Sequence, residues 1–480
     1  MRRSPPRRPA KPRTSPAVLD HINPSAAGID CGASEHVVAV PPDRDADPVQ
    51  TFPTFTGDLE RLADWLTACR ITSVAMEATG IYWIPIFEIL EARGFQVSLV
   101  NARHVKNVPG RKSDVSDSEW IRDLHIMGLL RASFRPTDDI VVLRAYMRHR
   151  ASLVEGASAQ VQRMQKALVQ MNVQLTLVVT DITGQTGMRI LRDIVAGHTD
   201  PLTLAQHRDR RCNASKAEIA AALTGNYRPE HLFSLQQHLQ LYDVHQEQIA
   251  ACDVAVQTCL NALTRAMPAP STPLPPPRIR LTTRGNEPTF DARTPLHQLT
   301  GADLSQIDGI GPYTALRLIT EIGTDMSRWP TEQHFTSWLT LAPRNKISGG
   351  RLLSSQTQPS ANRAASLLRV AAMSLGRGST ALGAFYRRLA ARTGKAKAIT
   401  ATARKLAILV YRTLKGELRY QDPGADAYDA QHHAQLLRRL RSRASKMGFA
   451  LVDLQTGEGA ARGVGHRTRP RQDLGSVVRP

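Results

Sequence analysis

The sequence predicts an α/β amino-terminal region, a long helical middle and a mostly α-helical carboxyl-terminal region. Three observations lead there. Short apolar runs bounded by turn residues alternate with amphipathic stretches between His21 and Pro136. From about Ile140, apolar residues recur at spacings near three and four as far as Met171. A proline cluster, PAPSTPLPPP, then interrupts the chain before helical periodicity resumes at Leu296.

The elements follow in order. AAGID and HVVAV read as two short strands joined by the turn-forming CGAS. A helix is expected around Leu59–Cys69, a buried strand at SVAME, an amphipathic helix in IYWIPIFEILEARG closed by Gly94, and a further strand at FQVSLVN. A hairpin continued by βαβ units implies a mixed sheet flanked by helices. SDSEWIRDLHIMGLL carries Trp120, Ile121, Leu124 and Leu129 at helical spacing. In the long helix, Met147, Val154, Ala157, Val161, Met164, Leu168 and Met171 form a coiled-coil-like seam that Arg150 breaks, expected to pack on another helix in the same chain or in a dimer. Arg144, Arg148, Arg163 and Lys166 decorate its other faces as solvating charges or nucleic-acid contacts. A second long helix is expected at about Pro229–Met267. These breaks divide the chain into a disordered basic arm (1–20), an α/β domain (21–139), a helical coiled-coil region (140–266), a proline-rich linker (267–295), a second domain (296–420), and a basic helix with a tail (421–480).

The chain carries 62 Lys and Arg against 42 Asp and Glu, a formal charge of +20. That excess favours a polyanionic partner, so nucleic acid is the first expectation, and a structural binder of nucleic acid shares it. No run of about 18 apolar residues is present, so no membrane span is expected. Cys31, Cys69, Cys212, Cys252 and Cys259 are scattered, with no CxxC pair. Neither a disulfide framework nor a zinc site follows, and a reducing cytoplasm is the expected compartment. The opening MRRSPPRRPAKPRTSP is basic and proline-rich without an apolar core. It reads as an arm that touches phosphates rather than a secretory signal.

Four acids stand out by placement. Asp30 ends the AAGID strand, Glu77 ends SVAME, and Asp114 and Asp117 sit in KSDVSD at a helix start, three residues apart and so on one helix face. Carboxylates from neighbouring strand ends and one helix face form a cage of hard oxygen ligands that suits Mg²⁺. Two such ions clamp the attacking and leaving oxygens of a phosphoryl transfer. The bland reading is that these acids are caps and turn residues, with Asp114 or Asp117 complementing a helix dipole.

GIDCG, AMEATGIYW and GRKSDVSD, in this order, closely resemble the DEDD-type transposases of bacterial insertion sequences. The resemblance spans roughly residues 22–450. It implies an RNase H/RuvC-like fold for the amino-terminal domain, with Asp30, Glu77, Asp114 and Asp117 as the metal-binding quartet holding Mg²⁺, or Mn²⁺ in its place.

LSQIDGIGPYTALRLITEIG reads as a helix, a tight turn at Gly309 and Gly311, and a second helix that presents free N–H groups to a phosphate. An ordinary αα-hairpin with packing glycines has the same pattern. In LTLAPRNKISGGRLLSS, Ser348 taken alone is a loop residue before a glycine pair, with Arg344, Lys346 and Arg351 nearby as cations and no evident base. The resemblance implies that Ser348 is the family's active-site serine, completing a composite site with the carboxylates. It further implies a structured noncoding bridge RNA that pairs with donor and target DNA, and a homo-oligomer, dimer or tetramer. The absence of a zinc finger or clear helix-turn-helix agrees with RNA-guided targeting. Two rivals share the sequence features: a structure-selective nuclease using water on the same carboxylates, and a non-catalytic nucleic-acid binder.

Overall fold

The computed structural model describes residues 22–78, 80–101, 116–265, 267–278 and 285–452. The chain forms two compact units, Met1–Arg135 and Pro136–Pro480.

The first unit is built on a five-stranded mixed sheet of order β3-β2-β1-β4-β5. Its strands are β1 (Ala26–Cys31), β2 (Glu35–Ala39), β3 (Val49–Pro53), β4 (Ser73–Glu77) and β5 (Gln96–Val100). β1–β2 and β2–β3 pair antiparallel, while β1–β4 and β4–β5 pair parallel. That arrangement is consistent with the RNase H-like fold the resemblance implies. β3 had no sequence signal, because VQTFP is a partly exposed edge strand without clean alternation. Helices α1 (Thr56–Ala68) and α2 (Trp83–Ala92) cover one face, where Leu59, Leu62, Leu66, Ile86 and Leu90 pack on Ala27, Ile29, Val38, Val74 and Met76. The opposite face takes α3 (Asp117–Ile126), whose Ile121 and Leu124 cluster with Ala75 and Val100.

The helix α3 has a capping box: Ser116 accepts from the Glu119 amide, and Glu119 returns a bond to the Ser116 amide. It ends in a Schellman arrangement, with Gly128 at φ +67° and the Leu129 amide donating to Leu124. Leu129 therefore leaves the helix and is exposed, contrary to its place in the expected apolar stripe.

In the second unit, α4 (Asp138–Gln170) and α9 (Pro229–Arg265) form the longest helix pair. Between them in the chain lie α5 (Leu175–Val178), α6 (Gln185–Val195), α7 (Pro201–Leu204) and α8 (Lys216–Ala222), which share a core with the carboxyl-terminal half of α4. Cys252 lies against the Tyr146 carbonyl, Arg150 pairs with Asp253, and His238 meets Gln160, so α9 runs antiparallel to α4. The seam is thus filled within one chain. Arg150 does not break it: the side chain is buried, binds Asp253 through Nε (2.5 Å) and Nη2 (3.1 Å), and donates to the Tyr313 hydroxyl at 2.9 Å. Removing one partner of a buried pair strands the other charge. Asp253→Ala is expected to destabilise the chain by about 3–5 kcal/mol in urea unfolding, while replacing both Arg150 and Asp253 by Met recovers most of that loss.

Beyond the pair come α10 (Arg293–Thr300), α11 (Pro312–Ile322), α12 (Glu332–Trp338), a two-stranded ribbon of β6 (Lys346–Ser348) and β7 (Arg351–Ser354), α13 (Arg363–Ser374), α14 (Ala381–Thr393), α15 (Lys395–Leu414) and α16 (Ala425–Lys446). Two of the arginines expected to solvate α4 are structural. Arg144 donates to the Thr320 and Glu321 carbonyls at the end of α11, and Arg148 forms a two-point ion pair with Glu321. Among the described residues, no helix is long and apolar enough to cross a membrane.

Candidate active site

The carboxyl edge of the parallel strands gathers the first group of acids. Ile29 lies opposite Met76 in the β1–β4 register, so the next residues along, Asp30 and Glu77, emerge side by side from adjacent strands. Side chains alternate across a sheet. Asp30 therefore shares a face with Gly28, and Glu77 with Ala75, which is the face covered by α3.

Gly28 fixes how closely that helix approaches. A Cβ added there would sit 2.2 Å from the Ser118 carbonyl oxygen and 2.4 Å from the Arg122 amide nitrogen. At the other end, the Ile126 carbonyl accepts from the Ile22 and Asn23 amides, so α3 runs antiparallel to β1. Its first residue, Asp117, consequently lies at the same sheet edge as Asp30 and Glu77. Arg122 anchors the docking from a buried position, donating to the Val40 carbonyl at 2.9 Å. Gly28→Ala should push α3 off the sheet; thermal unfolding is expected to show a loss of about 1–3 kcal/mol, because the obstacle is backbone that cannot turn aside. A glycine inside a strand signals such close approach, and the sequence reading of GIDCG passed over it.

The charges of this edge reach a neighbouring thiol. Burial, then Asp30 and Glu77, push the Cys31 thiol up to about 12, so it is an inert core residue rather than a nucleophile. Glu77 itself is buried.

Ser116 is extended (φ −62°, ψ 152°) and caps the helix, which begins at Asp117. Asp114 lies outside the described residues. Among the described residues, no group of three His, Cys, Asp or Glu is gathered closely enough to hold a metal ion. The described donors at this edge, Asp30, Glu77 and Asp117, are all carboxylates, the hard oxygen set that suits Mg²⁺ or Mn²⁺ rather than zinc.

Ser348 occupies a different kind of element from the loop expected. It is the last residue of β6, directly opposite Arg351, and Gly349 (φ +54°) and Gly350 (φ +75°) form the two-residue turn between them. Both turn residues are left-handed, which is what a tight hairpin with native twist demands. The GG between KIS and RLLS was the available signal. Ser348, Lys346 and Arg351 are all exposed on this ribbon, and Arg344 precedes it, also exposed, with its amide bonded to the Gln356 carbonyl. Cross-strand neighbours of this kind hold their side chains about 5 Å apart at Cβ, so Ser348 and Arg351 are neighbours on one face of the ribbon.

The GIG segment departs from a helix-hairpin-helix. Ahead of it stands only a single 3-10 turn, Leu304–Gln306. Gly309 (φ +82°) packs against Ala371 and Leu375 of the α13 region, where a Cβ would come within 3.0 Å of the Ala371 carbonyl. Gly311 is the N-cap residue of α11, with Pro312 in its first turn. Gly309 thus has a packing role.

Residues 27–173 match a family model described as Transposase. Residues 301–387 match one described as Transposase IS116/IS110/IS902 family. No curated protein matches the chain. The first match holds the strand-end carboxylates and the second holds the Ser348 ribbon, in the order the motifs predicted. By both segments the chain belongs to the IS110-type family of DEDD transposases, enzymes that process DNA.

Proposed function

We propose that this transposase cuts and rejoins donor and target DNA by phosphoryl transfer to Ser348, assisted by metal at Asp30, Glu77, Asp114 and Asp117, in a homo-oligomer guided by a bridge RNA. The observation that carries the reading is the placement of Asp30, Glu77 and the start of α3 at Asp117 along one sheet edge, since open α/β sheets bind ligands beyond the carboxyl ends of their strands. Divalent metal there supplies charge neutralisation at the scissile phosphate.

The Ser348 oxygen forms a new bond to phosphorus, and the bond from phosphorus to one deoxyribose oxygen breaks. The serine loses its hydroxyl proton, and the departing deoxyribose oxygen leaves as a hydroxyl. The phosphodiester count is unchanged, so the reverse attack by another DNA hydroxyl rejoins strands without an external energy source. Arg351, opposite Ser348, is the cation placed to offset the charge that develops on the phosphate.

Targeting by RNA is supported by the net charge of +20 combined with the lack of any segment that reads as a major-groove module. It is tested by purifying the protein from cells that carry its flanking DNA and sequencing the RNA retained. Enrichment of one discrete transcript from beside the gene is expected; a random sample of cellular RNA would remove the guided reading.

A further inference from the structure

Three helices of the carboxyl-terminal region meet around two aromatic rings. Phe385 and Arg388 come from α14, Lys405 from α15 and Tyr428 from α16. The rings of Phe385 and Tyr428 meet edge to face at 6.4 Å. Lys405 Nζ stands 4.3 Å from the Phe385 centroid, and Arg388 Cζ stands 5.1 Å from that of Tyr428 and 6.0 Å from that of Phe385. Ring faces attract cations, but two cations on one aromatic floor repel each other. Among the described residues, neither forms an ion pair with a carboxylate.

The other charges on these helices do not neutralise the pair. Arg387 is committed to the Gly376 and Gly378 carbonyls, and Arg392, Lys397 and Arg404 add positive charge. The acids of α16 near this point, Asp426 and Asp429, are exposed. Burial, then repulsion from Arg388, lower the Lys405 amine from 10.5 to about 8. Tyr428 is nine-tenths buried, and its hydroxyl has no hydrogen-bond partner of good geometry. Arg388 stacks over the ring and gives that oxygen only a loose contact. Two unneutralised cations and an orphaned buried hydroxyl share one need, an anion with several acceptor oxygens.

We propose that Lys405, Arg388 and the Tyr428 hydroxyl form a binding site for a nucleic-acid phosphodiester. No residue of it belongs to the carboxylate group or the Ser348 ribbon, and Arg388, Lys405 and Tyr428 lie beyond both matched family segments. Phosphodiester is the class a DNA-processing protein of charge +20 meets in abundance, and its several acceptor oxygens match two cations and a hydroxyl donor.

The site has a proton signature. A bound phosphodiester returns Lys405 towards its ordinary protonation range, so the complex holds more protons than the free protein between about pH 8 and 10.5. Binding takes up protons, and affinity falls as pH rises through that window.

The test is calorimetric titration of the full chain at pH 8.5 in two buffers of different ionisation enthalpy. A short DNA duplex and an RNA hairpin of equal phosphate count serve as probes, with wild type, Lys405→Met and Lys405→Arg compared. Wild type is expected to take up protons, and Lys405→Met to lose that uptake and about one unit of the log–log salt slope. Lys405→Arg should bind as wild type without uptake, which separates loss of the site from loss of the fold. Uptake with only one polymer identifies that polymer as the source of the phosphodiester, and uptake with both identifies a site that accepts either. Equal uptake and equal salt slope in wild type and Lys405→Met would overturn the proposal and leave the cluster as packing.

Discussion

Replacing Ser348 by Ala is expected to abolish the covalent protein–DNA adduct, with recombination falling on the order of 10⁴-fold or more. The residue stands exposed at the shoulder of a two-residue turn, and the Ala variant removes only the attacking oxygen. Ribbon geometry, set by Gly349 and Gly350, is untouched, so nucleic-acid affinity should be retained. Denaturing gels of the full chain with radiolabelled donor DNA read the adduct directly. An adduct of undiminished yield in Ser348→Ala would remove the serine from the chemistry. Strand cleavage that continues without any adduct would instead favour water as the nucleophile. Arg351→Ala should slow adduct formation by on the order of 10²-fold, since it deletes a charge opposite the serine rather than the nucleophile.

Glu77→Gln, the second large effect, is expected to lower strand cleavage on the order of 10³-fold while leaving the chain folded. Glu77 is buried beside Asp30 at the end of neighbouring parallel strands, and Asp117 opens α3 at the same edge. Carboxylates at one edge gain from a shared divalent cation, so neutralising one of them should weaken its binding. Mg²⁺ should then stabilise wild type more than the variant, because a ligand stabilises a fold in proportion to its affinity for it. Paired melts with and without Mg²⁺ check this apart from activity. Equal Mg²⁺ stabilisation of both proteins would place the metal elsewhere.

Much of the fold was legible because the local code and the final structure agree. The strands of AAGID, HVVAV, SVAME and FQVSLVN are apolar runs bounded by turn residues, and each is a strand of the sheet. Both long helices were visible in the sequence, the first from its apolar spacing, within a few residues at each end. The features that escaped depend on partners distant in sequence. Arg150 looked like a break in a seam because its stabilising groups, Asp253 and Tyr313, lie 103 and 163 residues away. Arg144 and Arg148 looked like solvated charges for the same reason, their partners being the end of α11. VQTFP forms an edge strand only because β2 is there to pair with it.

The candidate site divides along the same line. Residue types and motif order determined which side chains to consider: four acids in GIDCG, AMEATGIYW and GRKSDVSD, and a serine before GG. The same information determined the family, since those motifs are local strings that survive without any knowledge of packing. Only the tertiary structure decided which of the described acids share a sheet edge. Parallel pairing sets Asp30 beside Glu77, and the missing side chain of Gly28 lets α3 lie against β1 so that Asp117 starts at their edge. Local propensity acts over a few residues, whereas the edge at which each acid stands is fixed by strand register and by how closely two backbones can approach.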